Sequence, residues 1–556
     1  MESSNTSSET DIVNVSIYLK RMAKIDPFRR AVVYPVTRDS AGRVAYAHLT
    51  FIQLDRESDC LAHGIEKAGI GRGTRTILMV KPGIEFFALT FALFKVGAVP
   101  VVVDPGMGVK RMVRCLKESD PSAFIGIPLA HLMRKLNPKY FRSVHTWITV
   151  GHRWLWGGST LDEIRQSPWK PYPIAETTKK DTAAILFTTG STGPAKGTVY
   201  THGIFDAQLQ HIQSHYKIRD NEIDLPTFPL FALFDPALGM TAVVPDMDPT
   251  KPAQVDPEKI IEAVLNHGVT NMFASPALLN RVGQYGKENG IRLPCLKRVI
   301  SAGAPVSPAN IETFSSMLGK DAEIHTPYGA TEAMPVTSMG SHEILRETKH
   351  LSEQGFGTCI GRPMSGIDVR IIRIDDEPIE TWSDDLLVSD GNIGEIVAGG
   401  ELVTQGYYNR PEADTLSKIN HRDRLLHRMG DLGWKDNKGR FWFCGRKSHR
   451  VVTEKETLFT VPCEAIFNTH PEVYRSALVG VGAHGRQTPV ICIELNQKEQ
   501  QSDPDKIRKE LLELTQDSEQ TKCIESILFH PSFPVDIRHN AKIFREELAL
   551  WAEKKI

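Results

Sequence analysis

The sequence predicts an α/β protein of more than one domain, and three observations lead to that prediction. The chain has 556 residues, too many for a single hydrophobic core. Strand and helix signals alternate along several segments, as in a parallel sheet with crossover helices. After Arg446 a new series of apolar segments begins. We therefore expect a large N-terminal α/β domain, residues 1–446, and a small α+β C-terminal domain, residues 447–556.

The most apolar stretch of the chain predicts a core helix followed by a buried strand. Residues 86–94 favour the helix, and residues 99–103 favour the strand. Lys95, Gly97 and Pro100 interrupt the apolar run, so we do not predict a membrane span here.

A second strand and helix pattern is readable further along the chain. Residues 184–188 predict a strand that enters a loop rich in Gly, Ser and Thr. Asp256 is a candidate N-cap, Pro257 fits the first helical position and Gly268 is placed to end that helix. Residues 269–273 predict the strand that follows.

The C-terminal pattern supports a domain boundary near residues 446–448. Residues 441–445 predict the last strand of the large domain. Beyond them we expect a helix near residues 463–468, a strand near 476–481 and an amphipathic helix around 507–515.

Composition and charge exclude several function classes. Lys+Arg number 66 against Asp+Glu 67, so no global charge attracts nucleic acid. Residues 1–10 are polar and acidic, unlike a secretory signal. Eight cysteines occur without a CxxC pair, which predicts neither a zinc site nor a disulfide framework. We expect a cytoplasmic protein with free thiols, no nucleic-acid partner and no transmembrane segment.

The sharpest motif is a loop of glycines, hydroxyl residues and one lysine. It consists of Thr188, Thr189, Gly190, Ser191, Thr192, Gly193, Pro194, Ala195, Lys196 and Gly197. Glycines let the backbone approach an anion, while hydroxyls, free N–H groups and a lysine can bind phosphate oxygens. A flexible surface loop is the alternative, but an apolar strand directly precedes the segment. A P-loop NTPase needs Gly-Lys followed by Ser or Thr, whereas this loop has Lys196 before Gly197.

This loop resembles the phosphate loop of the adenylate-forming superfamily, which includes acyl-CoA synthetases, luciferases and nonribosomal adenylation domains. Further segments resemble the family's adenine pocket and signature, at Gly303, Ala304, Pro305, Tyr328, Gly329, Thr331 and Glu332. The resemblance implies that Tyr328 stacks on adenine, Thr331 binds the α-phosphate and Glu332 binds Mg²⁺, with Thr188 as a second Mg²⁺ ligand. ATP and Mg²⁺ are the implied cofactors.

The resemblance also assigns residues towards the C-terminus. Asp431 matches the family's ribose-binding aspartate, and Arg446 would reach the ribose or phosphate. Ser448 stands at the hinge position. Lys542 fits the family's essential C-terminal lysine, although the usual preceding glycine is Ala541. Its charge would bridge the substrate carboxylate and the α-phosphate. Residues 399–407 match a segment with no catalytic role.

Three departures from the common pattern concern the acceptor of the acyl group. Ala232 stands where CoA ligases commonly have His, and Ser448 replaces the usual hinge Asp or Lys. The loop at 451–458 lacks its usual glycine and carries Glu454 and Glu456, which would repel the phosphates of CoA.

The chain is most similar to one branch of the superfamily, the β-lactone synthetases of bacterial long-chain olefin biosynthesis. The resemblance implies adenylation of a long-chain 2-alkyl-3-hydroxy acid, whose own hydroxyl then closes a β-lactone. It also implies a thiolase-like enzyme, a reductase and a hydrolase-fold enzyme as pathway partners. Candidate pocket residues are Phe231, Ala232, Phe234 and Leu238, with core packing as the alternative. Asp235 and His325 are candidate bases.

Two other functions stay open from the sequence. One is a long-chain fatty acyl-CoA or acyl-carrier-protein ligase with an unusual acceptor loop. The other is an inactive nucleotide-binding scaffold, against which the presence of Glu332, Asp431 and Lys542 argues.

Overall fold

The structure is a computed structural model that describes residues 12–188, 195–228, 233–496, 503–516, 518–535 and 543–556. These residues form two compact units. The first unit is drawn from Met1–Pro249, Glu262–Phe273 and Glu401–Asp414, and the second from Thr250–Ile261, Ala274–Gly400 and Thr415–Ile556. These units do not test the predicted domain boundary after residue 446, which stays a prediction.

The first unit is built on parallel strands. Its strands, with the last at its boundary, are β1 (Arg30–Arg38), β2 (Val44–Thr50), β3 (Arg75–Met79), β4 (Val99–Val103), β5 (Ala123–Gly126), β6 (Thr146–Thr149), β7 (Ser159–Thr160), β8 (Thr182–Thr188), β9 (Lys196–Thr201), β10 (Ile223–Pro226), β11 (Thr241–Val243) and β12 (Asn271–Ala274). One sheet has the order β7-β6-β5-β3-β4-β8-β9, and its neighbours are parallel except β8 and β9. A second group runs β12-β10-β11-β1-β2, parallel except for β1 and β2. The predicted parallel arrangement is confirmed.

Helices cover these strands. They are Ser16–Ile25, Phe51–Lys67, Ile84–Lys95, Val109–Glu118, Pro128–Leu136, Leu161–Ile164, His202–Tyr216 and Phe234–Ala237. The predicted core helix is confirmed as Ile84–Lys95, which is buried from Phe86 to its end. Lys95 is fully buried, and its Nζ lies 2.6 Å from a carboxylate oxygen of both Asp55 and Asp59. A buried ammonium needs such partners because its desolvation costs several kcal/mol.

The predicted helix that starts at Pro257 ends at His267. Gly268 adopts a φ of +61°, a conformation that favours glycine. Its amide donates to the Leu265 carbonyl at 3.4 Å, and the Val269 amide donates to the Val264 carbonyl at 3.0 Å. These bonds close the helix end, so the next strand begins at Asn271 rather than at the predicted residue 269.

The second unit contains a large antiparallel sheet. The strands of the whole unit are β13 (Arg298–Ser301), β14 (Glu323–His325), β15 (Tyr328–Ala330), β16 (Ala333–Ser338), β17 (Thr358–Pro363), β18 (Asp368–Ile372), β19 (Gly394–Gly399), β20 (Lys418–His421), β21 (Arg424–Lys435), β22 (Phe441–Arg446), β23 (Val451–Val452), β24 (Thr457–Leu458), β25 (Val473–Val481), β26 (Thr488–Leu495) and β27 (Ser526–Phe529). The large antiparallel sheet has the strand order β15-β16-β17-β22-β21-β19-β18, and β20 pairs with β21. β13 and β14 form a parallel pair.

The helices of the second unit include those of the C-terminal region. They are Pro276–Glu288, Pro308–Ser315, Ser341–Glu343, Lys349–Leu351, Thr460–Phe467, Pro504–Gln516 and Arg545–Glu553. The helices Pro257–His267 and Pro411–Ser417 each have residues in both units. In the C-terminal region β25 pairs antiparallel with β26, which pairs parallel with β27. The predicted helices and strand of this region are confirmed, within a few residues at their ends.

Two further expectations concern the whole described chain. Every one of the eight cysteines, all of which lie in the described ranges, carries a free thiol. Within those ranges no helix has both the length and the apolar character needed to cross a membrane.

Candidate active site

The glycine-rich segment joins two adjacent strands of the first unit. β8 and β9 are antiparallel, and Thr188 pairs with Lys196 across them. Both ends of the loop are therefore fixed by backbone hydrogen bonds. Lys196 is half-buried, and its Nζ lies 4.7 Å from the centre of the Tyr407 ring. A cation over an aromatic face is attracted to it, so Tyr407 restrains the direction of the lysine.

Tyr407 contacts a predicted site residue, Lys196, and the sequence analysis did not identify this contact. Tyr407 was placed in a segment with no catalytic role, yet it forms a β-bridge with Thr198 of β9. Its backbone amide donates to the Asp414 carboxylate at 2.8 Å, and its side chain is buried. The matching motif gave no signal for the contact with Lys196, because that contact joins residues far apart in the sequence.

Tyr328, Thr331 and Glu332 come together in one hairpin of the second unit. β15 and β16 are antiparallel, and Ala330 pairs with Ala333, so Thr331 and Glu332 form a two-residue turn. Both side chains are half-buried. At Gly329 a Cβ atom would lie 2.7 Å from the Ala333 carbonyl oxygen, so the motif's glycine is needed for this close approach.

Asp431, Arg446 and Tyr328 form the most tightly defined cluster. Asp431 and Arg446 are cross-strand partners on β21 and β22. The Tyr328 hydroxyl donates to Asp431 Oδ2 at 2.6 Å, and Arg446 Nη1 lies 3.0 Å from Asp431 Oδ1. This ion pair lacks hydrogen-bond geometry: Oδ1 is buried and accepts no hydrogen bond from the described residues. A buried acceptor of this kind requires a donor, which a ribose hydroxyl can supply.

The electrostatics of this cluster favour a hydrogen-bonding role over proton transfer. Burial raises the pKa of Asp431, while the charge of Arg446 and the hydrogen bond from Tyr328 oppose that rise. Burial and the neighbouring Asp431 charge raise the pKa of Tyr328 well above its usual value. Tyr328 therefore keeps its proton and acts as a donor to Asp431.

Buried ion pairs support the strand that carries Asp431. Arg428 Nη2 lies 2.6 Å from Glu395 Oε2, and both side chains are almost fully buried. Lys447 Nζ reaches the same Glu395 oxygen at 3.2 Å. Lys447 directly precedes the predicted hinge residue Ser448, which is exposed. The hinge role of Ser448 stays a prediction.

The predicted adenine-pocket segment lies at the carboxyl end of a strand. Gly303, Ala304 and Pro305 connect β13 to the helix Pro308–Ser315. The Oγ of Ser301, the last residue of β13, is buried and has no hydrogen-bond partner among the described residues. Ligands of open parallel sheets commonly bind at such strand ends.

The predicted acyl-pocket residues of the first unit are only partly described. Phe234 opens the short helix Phe234–Ala237, and its ring meets Phe205 edge-on at 5.7 Å. Leu238 is 5% exposed. Their roles in binding a substrate stay predictions.

Asp235, one of the two candidate bases, is a poor base in this structure. It is 3% exposed, and it hydrogen-bonds to the Asp224 carboxylate, which raises its pKa together with burial. Burial is the larger cause. The raised pKa favours the protonated form of Asp235, in which the carboxyl cannot accept a proton. His325, the other candidate, lies 3.9 Å from Glu323.

Several predicted site residues lie outside the described residues. They are Thr189, Gly190, Ser191, Thr192, Gly193, Phe231, Ala232 and Lys542. The side chain of Thr188 is also outside the description, so its predicted bond to Mg²⁺ stays a prediction.

The described acidic side chains are consistent with a Mg²⁺ ion that is bound mainly by substrate phosphates. Among the described residues no group of three or more His, Cys, Asp or Glu side chains could hold a metal ion. Mg²⁺ is commonly bound by one or two carboxylates with substrate phosphates and water. Glu332 at its hairpin turn fits that donor set.

Comparisons with known proteins identify the family and two similar relatives. A protein-family profile described as AMP-binding enzyme matches residues 19–408. A protein of Stenotrophomonas maltophilia is 46% identical over 551 residues and one of Xanthomonas campestris pv. campestris is 45% identical over 553 residues. Both are named olefin beta-lactone synthetase, and each match covers 98% of this chain and 98% of the relative.

A solved structure supports the fold. The amide bond synthetase McbA from Marinactinospora thermotolerans has a TM-score of 0.77 and 21% identity, with 97% of this chain and 99% of that chain covered. At this identity the likeness concerns the fold alone. It confirms the predicted fold class.

Proposed function

The chain belongs to the AMP-binding enzyme family, and from that premise we propose that it is an ATP-dependent β-lactone synthetase. Its substrate is a long-chain 2-alkyl-3-hydroxy acid, and its products are a β-lactone, AMP and pyrophosphate. The observation that carries the reaction type is the buried, unsatisfied Oδ1 of Asp431 beside Arg446 and Tyr328. The observation that carries the product is the 46% identity to an olefin beta-lactone synthetase across 98% of the chain.

In the first half-reaction the chain binds and orients ATP. Asp431 accepts a hydrogen bond from a ribose hydroxyl through Oδ1, while Tyr328 holds its other oxygen. Thr331 donates to the α-phosphate and Lys196 lies beside the phosphates. Glu332, with Thr188, would hold Mg²⁺, which would supply positive charge beside the phosphates. The substrate carboxylate attacks the α-phosphorus, the bond to pyrophosphate breaks, and Lys542 stabilises the charge that develops.

In the second half-reaction the acyl adenylate reacts with its own hydroxyl. The 3-hydroxyl oxygen bonds to the acyl carbon, the bond from that carbon to the phosphate oxygen of AMP breaks, and the hydroxyl proton is released. An enzyme that holds this hydroxyl beside the carbonyl gains the advantage of an intramolecular reaction. No external thiol is needed.

The structure of the altered acceptor loop supports this choice of acceptor. β23 and β24 form a tight hairpin, and the Thr453 hydroxyl accepts hydrogen bonds from the amides of Lys455 and Glu456 at 3.1 and 3.0 Å. Glu454 and Glu456 are exposed on that turn. The turn satisfies its own polar groups. Arg486 lies 3.5 Å from Glu454 and Lys455 stands between the two carboxylates, so the turn has no excess positive charge with which to bind the phosphates of CoA.

The proposed reaction also indicates where the enzyme works. The acid requires a condensing enzyme of the thiolase type and a reductase, and the lactone requires a hydrolase-fold enzyme that removes CO₂. We place the reaction in the cytoplasm, in agreement with the free thiols of the described cysteines.

The deciding experiment is product analysis by mass spectrometry and NMR. Purified protein is incubated with ATP, Mg²⁺ and a long-chain 2-alkyl-3-hydroxy acid, with and without CoA. We expect AMP and a product that has lost one water, formed equally without CoA. A thioester that forms only with CoA would assign the chain to the acyl-CoA ligases. ATP binding without pyrophosphate release would make it an inactive scaffold.

A further inference from the structure

One helix of the first unit exposes a row of leucines. In the helix Pro128–Leu136, Leu129, Leu132 and Leu136 are 68%, 38% and 73% exposed. Their spacing of three and four residues puts them on one face of the helix. The other face is buried through residues that include Met133 and Arg134. The helix therefore exposes an apolar row on its outer face, while its buried face includes the cation of Arg134.

Two more exposed apolar side chains lie in a loop that contacts the same helix. Trp154 is 55% exposed and Leu155 is 98% exposed. The Trp154 ring lies 5.2 Å from that of Trp156, which stacks on His131 of the helix at 5.4 Å. The loop is thus fixed against the helix. We call Leu129, Leu132, Leu136, Trp154 and Leu155 together the apolar face.

The segment that carries the apolar face has basic residues and no acidic ones. Between Asp120 and Asp162 the sequence has five Lys and Arg residues and no Asp or Glu. Arg153 is paired with Glu163 at 2.9 Å, so its charge is largely offset. Lys135, Lys139 and Arg142 are exposed. In a chain with a net charge of −1, this segment is a local cationic surface.

Arg134 adds a buried cation beside this surface. It is 9% exposed, its guanidinium lies 3.9 Å over the Trp147 ring, and its Nε and Nη2 have no hydrogen-bond partner among the described residues. The side chain lines a partly open cavity of about 320 Å³, together with Lys135, Pro138, Phe141, Trp147 and Trp156. A buried guanidinium without an acceptor is costly, and an anionic oxygen that enters the cavity would satisfy it.

We propose that the apolar face and the Arg134 cavity form a docking surface for a membrane that contains anionic phospholipid. Leucine and tryptophan side chains enter the boundary between headgroups and acyl chains, and Lys135, Lys139 and Arg142 lie against the anionic headgroups. Arg134 binds a headgroup phosphate in the cavity. The combination of exposed Leu and Trp with unopposed basic residues is what favours a lipid surface as the occupant.

Vesicle co-sedimentation tests this proposal independently of catalysis. We expect the full-length protein to bind phosphatidylglycerol vesicles about tenfold more tightly than phosphatidylcholine vesicles, and this preference to disappear at about 0.5 M NaCl. Leu129→Ser with Leu136→Ser should abolish binding to both vesicles. The matched control is Leu416→Ser with Leu550→Ser, which changes leucines that are 51% and 61% exposed elsewhere and should leave binding unchanged.

A second variant tests the cavity. Arg134→Gln should remove the preference for phosphatidylglycerol while some binding through the apolar face remains, and Arg134→Lys should retain part of the preference. Circular dichroism and ATP–pyrophosphate exchange verify that each variant is folded. Absence of vesicle binding by the unaltered protein, or binding that the leucine variant does not weaken, overturns the proposal. A dimer that Leu129→Ser with Leu136→Ser converts to a monomer, without vesicle binding, would make the face an interface between copies.

Discussion

At the scale of single residues, we expect the Tyr328–Asp431 contact to affect nucleotide binding most directly. The phenol holds Oδ2 of a buried carboxylate at 2.6 Å, which leaves Oδ1 for a ligand. A hydrogen bond to a charged group contributes about 1.5–3 kcal/mol. Without it, the carboxylate is free to turn and its charged form is less stable.

Tyr328→Phe should therefore raise the KM for ATP roughly 10- to 100-fold, measured by pyrophosphate release. The control is Tyr172→Phe, which removes another buried phenol that hydrogen-bonds a carboxylate, that of Glu66. It should lower the free energy of unfolding and leave the KM unchanged. Equal KM effects in both variants would show that Tyr328 acts through stability alone.

The raised pKa of Asp235 predicts a pH dependence of stability. Its pKa is raised above the ordinary value of 3.8, so the folded state binds its proton more tightly than the unfolded state. The tighter proton binding stabilises the folded state fully below pH 3.8, and this stabilisation is lost as the pH rises through the folded-state pKa. Asp235→Asn should match the parent chain in acid and become the more stable of the two as the pH rises, by urea unfolding.

A carboxyl with the opposite shift provides the control. Asp385 has a pKa below 3.8, because it accepts a hydrogen bond from Ser383 and pairs with Arg373. Its contribution is present above 3.8 and is lost as the pH falls. Asp385→Asn should thus cost stability at neutral pH and cost less in acid. Parallel pH profiles for the two variants would contradict both assignments.

At the scale of elements, β9 and the segment beside it control the direction of Lys196. The amide of Tyr408 donates to the Gly197 carbonyl at 2.7 Å, and that of Val199 to the Gly406 carbonyl at 3.1 Å. This backbone pairing places the Tyr407 ring under the lysine. We therefore expect a segment without reactive groups to contribute to phosphate binding.

Tyr407→Leu should raise the KM for ATP about 2- to 30-fold, since a cation–π contact contributes about 0.5–2 kcal/mol. The matched control is Tyr408→Leu, which alters the neighbouring ring that lies 5.7 Å from the Arg75 guanidinium. Only the variant at 407 should change the KM in a pyrophosphate-release assay. Similar values for both variants would mean that the lysine does not depend on the ring.

At the scale of the whole molecule, we expect adenylation by this AMP-binding enzyme to depend on residues spread over most of the chain. Lys542 is the most distant of them in sequence. We expect Lys542→Ala to lower the rate of adenylation about 10²- to 10³-fold through lost electrostatic stabilisation, with an unchanged circular dichroism spectrum. Lys554→Ala, an exposed lysine of the same region, is the control. A normal rate of pyrophosphate release in the Lys542 variant would show that the lysine was misplaced.

The sequence predicted the parts of the molecule that local chemistry determines. The helix Ile84–Lys95 and the end of the helix at Gly268 follow from apolar runs and capping residues. The motifs around Tyr328 and Asp431 predicted members of the site. What the sequence could not indicate is which residues meet: Tyr407 with Lys196, Tyr328 with Asp431, and Asp235 with Asp224. These contacts depend on tertiary packing between distant segments, which no local pattern encodes.

The arrangement of the Asp431 cluster also has a consequence for folding kinetics. Asp431 and Arg446 face each other on β21 and β22, which are consecutive in the chain, so their pair forms through a contact of low sequence separation. Tyr328 joins it from 103 residues upstream. Contacts between distant segments form later, because a longer loop must be closed. During refolding, nucleotide affinity should therefore return after the local hairpin has formed, at the rate of the long-range step.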